Sequence, residues 1–174
     1  MSKYITNLVR IFKPGEGNPN LMVEEAQSLE FPGDVIVTST MSAPNPGGPV
    51  GVISRILDDA SGIDKYFEAI QSQMPQRQGQ LQELGVKCSS TRMHILKVHR
   101  EAEYAGSGSP SVLVRNFLRA KRGNLDELIA TIESFIDDIP EGRTKPAFTE
   151  TTTGKSGLVT ISVPYENVAT AQEG

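Results

Sequence analysis

The chain has 174 residues, of which 37% are apolar and 22% charged, with a net charge of −4. That is the make-up of an ordinary globular protein, with room for one domain or two small ones. The single cysteine, Cys88, excludes an internal disulfide and fits a reducing compartment. No apolar run approaches the roughly 18 residues of a membrane-spanning helix. The opening MSKYITNLVRIF also lacks an apolar stretch followed by a small-residue cleavage site, so a cytoplasmic location is expected.

In chain order, TNLVRIF (6–12) alternates as a strand, with Leu8, Arg10 and Phe12 pointing one way and Val9 and Ile11 the other. GNPNLMVEEAQSL (17–29) follows, with Asn20 where an N-cap belongs and Met22, Val23, Ala26 and Leu29 on one helical face. VIVTSTMSAPNPGGPVGVIS (35–54) reads as strand, Gly/Pro-rich turn, strand. GIDKYFEAIQSQMPQRQGQLQELG (62–85) is helical, with Ile63, Tyr66, Phe67 and Ile70 on one face, and Pro75 is expected to break or restart it. TRMHILKVHREAEY predicts a long strand from about Thr91 to Tyr104, and GSGSP (106–110) a short connection.

The pattern then starts again. LVRNF (113–117) restates LVRIF (8–12), and GNLDELIATIESF (123–135) aligns without a gap to GNPNLMVEEAQSL. Met22 falls on Leu128, Val23 on Ile129, Ala26 on Ile132 and Leu29 on Phe135, with Asn124 or Asp126 at the second N-cap. PAFTETTTGKSGLVTIS (146–162) repeats the hairpin and ends, like its counterpart, in Ile-Ser. Two related units are therefore expected: a complete one at 1–105, a linker at 106–110, and a partial βαββ repeat at 111–174.

Strand-helix-strand-strand-helix-strand is the ferredoxin-like order, so the fold class expected is α+β with antiparallel sheets. Both faces of the first strand are mainly apolar, which argues that one is covered by helices and the other by a second sheet. Element order over nearly the whole chain resembles the dimeric α/β-barrel group, which includes antibiotic-biosynthesis monooxygenase-like, EthD-like and NIPSNAP-like proteins. The resemblance implies sheets packed as a barrel and cofactor-free oxygenation, isomerisation or decarboxylation of a small organic acid or aromatic.

Arg10 and Arg115 occupy the same place in the two LVR-x-F segments, and guanidinium grips carboxylates or phosphates with two parallel hydrogen bonds. They are the candidate ligand-binding residues, with Tyr104 as a further donor. The structural alternative is an arginine paired with an acid such as Glu150. His94 and His99 are the candidate proton-transfer groups, since imidazole titrates near neutrality. Five residues apart on one strand, they face opposite sides and cannot share a metal. No metal or cofactor is expected.

Other motifs fail on inspection. Gly154-Lys155-Ser156 lacks the first glycine of a phosphate-binding loop, because Thr149 stands there, and a strand follows it. Cys88 has no base beside it in sequence. Charge is uneven: Lys87 to Arg122 carries eight Lys or Arg against Glu101 and Glu103, a net of +6, leaving −10 elsewhere. No interleaved aromatics accompany these cations, so nucleic acid is not an expected partner.

Two functions fit: binding or conversion of a small anionic or aromatic molecule between the sheets, or a non-enzymatic oligomerising protein whose inter-sheet core is packed shut. A homodimer is expected in either case. A pocket of roughly a few hundred cubic ångströms between the sheets favours the first; a face packed shut by Leu8, Phe12, Leu113 and Phe117 favours the second.

Overall fold

In the computed structural model, residues 2–17, 19–31, 34–40, 48–154 and 157–173 are described. Asn18, residues 41–47, Lys155 and Ser156 lie outside them, and with them part of the Gly-Asn match, the expected Gly/Pro-rich turn and the rejected phosphate motif. The described residues form seven strands and four helices, an α+β protein. The order is β1 (Tyr4–Phe12), α1 (Pro19–Ser28), β2 (Val35–Ser39), β3 (Val50–Leu57), α2 (Ala60–Lys87), β4 (Cys88–Arg100), β5 (Val112–Arg119), α3 (Leu125–Asp137), β6 (Ala147–Thr151), β7 (Leu158–Tyr165) and α4 (Val168–Glu173). Among the described residues, no helix is long and apolar enough to cross a membrane.

Contacts divide the chain into two units, 1–95 and 96–174, and the division falls inside β4. The later half of β4 pairs with β6 and so belongs with the second unit. Within the first unit the hydrogen-bonded strand order is β2-β3-β1-β4; within the second it is β4-β6-β7-β5. The β1–β3 and β2–β3 pairs, like β4–β6, β6–β7 and β5–β7, are antiparallel.

In the first unit one face of the sheet is covered by helices. Phe12, Met22, Ala26 and Ile53 form one buried cluster, and Leu29, Leu57 and Tyr66 a second. Two glycines permit this approach. A Cβ at Gly51 would come within 2.6 Å of the Met22 side chain, so a larger residue would push α1 off β3. Gly48 has φ +95°, and a Cβ there would meet the Phe12 carbonyl oxygen at 2.1 Å. The second unit centres on Ile132, Ile136, Phe148 and Val159 beneath α3.

Helix α2 departs from expectation. It runs unbroken through Pro75 to Lys87, its start capped by Asp59, whose carboxylate accepts from the Gly62 amide at 3.1 Å. A proline costs the bond to the carbonyl four residues back, here Gln71. Gln71 is exposed, so water can satisfy that carbonyl and the helix continues. Helix α1 begins at Pro19, which places Asn20 inside the first turn instead of at the cap; Asn124 does occupy the N-cap of α3. Strand β4 spans Cys88–Arg100, so it starts earlier and ends earlier than expected. Past Val168 the described chain forms a six-residue helix.

Candidate functional site

The apolar stripe of α2 carries Tyr66, Ile70, Met74, Arg77 and Leu81, at steps of four, four, three and four residues that keep them on one face. That face, with Glu25, Ala26 and Leu29 from the α1 region, lines a half-open cavity of about 130 Å³ against the sheet of the first unit. Leu8 and Arg10 of β1, Ile53 and Arg55 of β3 and Met93 of β4 form its floor. Met74 is exposed and stands at the mouth.

Arg10, 5% exposed, aims at the helices from β1. Its Nε donates to Glu25 Oε2 at 2.6 Å, a second nitrogen pairs with Oε1, and the third donates to Thr91 Oγ1 at 3.0 Å. Burial alone would lower its pKa, but the Glu25 carboxylate more than offsets this and the guanidinium is held above its usual value. The acid is Glu25, itself 2% exposed, and not Glu150.

Arg55 caps the end of α1. It donates to the carbonyls of Ala26 at 2.6 Å and Leu29 at 3.2 Å, supplying donors to carbonyls that the helix leaves unpaired, and it lies 5.9 Å from the Phe31 ring centroid. Its pKa is lowered, first by burial and further by the charge of Arg77. Tyr66 packs edge-on against Phe31 with centroids 5.3 Å apart. Burial raises its pKa, so the phenol stays protonated and able to donate; its hydroxyl lies against Thr6. The Nε of Arg77 is buried and makes no hydrogen bond among the described residues. With three arginines and one glutamate, this otherwise apolar lining carries a surplus of positive charge.

The other residues singled out from sequence lie elsewhere. His94 follows Met93 on β4 and so points to the side of that strand away from the cavity. His99, in the second unit, sits where the β4–β6 register shifts between Val98 and Arg100, stacks on Phe148 (centroids 5.1 Å, planes 4° apart) and shares a 3.0 Å hydrogen bond with Glu150. The shift turns Arg100 to the same side, where it meets Asp137 at 2.6 Å; simple alternation had placed Arg100 with His94. Arg115 is half-buried on β5, where burial lowers its pKa. Tyr104 lies beyond β4, against Gly106. Of the five, the cavity takes in only Arg10. Among the described residues no three His, Cys, Asp or Glu side chains gather as a metal site.

Arg77, Arg55 and Glu25 escaped the sequence reading. Reading α2 straight through Pro75 would have placed Arg77 on the stripe begun by Tyr66 and Ile70. Arg55 interrupts the apolar VISRIL, a charge in a strand buried on both faces. Only the fold brings Glu25 to Arg10, fifteen residues away.

No protein-family model and no curated protein matches the chain. Solved structures share its fold. An anthrone oxidase-like protein superposes with a TM-score of 0.61 at 11% identity, covering 99% of this chain and 76% of that one. A provisionally named monooxygenase from Fusobacterium nucleatum subsp. nucleatum gives 0.61 at 11% identity, covering 99% and 79%. Another from Lactobacillus acidophilus gives 0.58 at 8%, covering 99% and 81%.

Proposed function

We propose that the first unit binds a small single-ring aromatic carrying a negative charge, in the cavity between its sheet and α1 and α2. The observation that carries this reading is Arg77 on the wall of an apolar space whose other cations are already engaged: its Nε has no hydrogen-bond partner among the described residues. Arg10 is neutralised by Glu25 and Arg55 caps α1, so Arg77 is the cation with capacity left. An anion would supply its acceptor and relieve the repulsion between Arg55 and Arg77. Volume sets the size class. A cavity of roughly 150 Å³ holds one benzene ring, so about 130 Å³ suits a single ring and not a three-ring anthrone.

Conversion of that ligand is a further step of the same reading. The fold shared with proteins named as monooxygenases makes oxygenation the first reaction to test. The α+β element order, the β2-β3-β1-β4 order of the first unit, and the β6-β7-β5 order of the second support reading the two units as ferredoxin-like repeats akin to the antibiotic-biosynthesis monooxygenase-like group.

The test is calorimetric titration with benzoate and with the neutral benzamide. Benzoate is expected to bind and benzamide to bind at least tenfold more weakly. Arg77→Met should abolish the preference while leaving stability equal or higher, because it removes an uncompensated charge. Equal binding of both ligands, or benzoate binding that survives in Arg77→Met, would reject the assignment.

A further inference from the structure

The cavity of the first unit is bounded mostly by residues that cannot move aside. Arg10, Leu29, Ile53, Arg55 and Tyr66 are all buried, on strands or on helices packed against them. Among the described residues that line it, Met74 alone is exposed, at 44%. It precedes Arg77 by three residues, so the two are neighbours on the inner face of α2. Helical side chains lean toward the helix N-terminus, which directs the Met74 thioether back toward Ile70 on the same wall.

The backbone at this point is fixed by the preceding residue. Gln73 is fastened to Glu30 by two reciprocal hydrogen bonds: its Nε2 donates to the Glu30 carbonyl at 3.0 Å, and its Oε1 accepts from the Glu30 amide at 3.1 Å. Glu30 directly follows Leu29, which lines the cavity from the α1 side. The clasp therefore holds this turn of α2 at a set distance from the end of α1. It leaves the Met74 side chain to decide how much of the opening is filled.

We infer that Met74 is the specificity-determining residue of this cavity, limiting its ligand to one ring and refusing fused two-ring acids. The inference rests on the reading of the cavity given above and adds which side chain draws the size limit. One ring already takes up a space of about 130 Å³, so a second ring needs room that the buried residues do not give. Swinging the flexible thioether outward would admit that ring only by exposing apolar surface of both to water. Truncation to alanine removes Cγ, Sδ and Cε, roughly the bulk of the added ring, and alanine at an exposed helical position keeps the helix.

Calorimetric titration of the full chain with benzoate and with 2-naphthoate reads the limit directly. The parent is expected to bind 2-naphthoate at least roughly tenfold more weakly than benzoate. Met74→Ala should bind the two acids equally, and Met74→Leu, close to methionine in volume, should keep the parent's preference. A parent that takes both acids equally overturns the inference. So does a Met74→Ala chain that still refuses 2-naphthoate, or a Met74→Leu chain that admits it as readily. Naphthalene, which carries no charge, separates this inference from the reading it rests on. Its fluorescence should report uptake by Met74→Ala at least roughly tenfold tighter than by the parent, and equal uptake overturns the size limit alone. Failure of benzoate to bind the parent rejects the charged ligand instead, and the naphthalene measurement then decides the role of Met74.

Discussion

Arginine 10 was legible in the sequence as a charge on an apolar strand face, but its partner was not. Buried ion pairs are poor sources of net stability, yet breaking one strands a charge. Glu25→Ala is therefore expected to cost about 3–5 kcal/mol in urea unfolding. The double change of Arg10→Met with Glu25→Leu should recover most of that loss, and a double variant as weak as the single would show that packing, not charge, holds the site. Tyr66 adds a pH dependence. Its folded pKa lies above its unfolded value, so its contribution is complete below about pH 10 and is lost as pH rises through the folded pKa. Between pH 8 and 11 the urea midpoint of the parent chain should fall further than that of Tyr66→Phe. Parallel falls would mean that the phenol is not desolvated.

At the level of elements, α2 shows a local rule overridden. Proline predicts a break, but the amphipathic stripe extends past it and the burial of Tyr66 and Leu84 ties both halves of the helix to the protein. Pro75→Ala should raise stability by about 1–3 kcal/mol, read as a higher denaturation midpoint, because it restores one backbone bond. The start of α2 has its own pH signature. Asp59 has a lowered pKa, through the hydrogen bond from Ser61 and then the backbone amide of Gly62. A depressed carboxylate contributes stability above its unfolded value near 3.9 and loses it as pH falls through the folded value. The melting temperature of Asp59→Ala should accordingly lie below the parent's at pH 6 and converge with it at about pH 2.

Across the whole molecule, the basic segment from Lys87 to Arg122 is partly answered by acids distant in sequence. Arg100 meets Asp137, and Lys97 lies opposite Glu150 in the β4–β6 register. Pairing of this kind weakens the long-range field needed to hold polyanions. Fluorescence anisotropy with a labelled oligonucleotide in about 0.15 M salt, roughly one Debye length of 8 Å, should show no saturable binding. A salt-sensitive rise would mean that the cations act together as a surface.

The α+β class, the order of the first ten elements and the phase of the first strand were all written locally, in spacings of two and of three to four residues. Those periods are properties of adjacent residues, so one chain suffices to read them. Partnership is not local. Glu25 meets Arg10, Glu150 meets His99, and Arg77 reaches the space beneath α1 only because strands and helices distant in sequence close around them. The register shift at His99 likewise depends on how β6 pairs with β4, which no alternation within β4 announces. Local spacing marked Arg10 as a charge out of place on an apolar face, and passed over Arg55 and Arg77. Tertiary structure alone decided which of them find a counter-charge, because that depends on distances between elements and not on the order of residues within one.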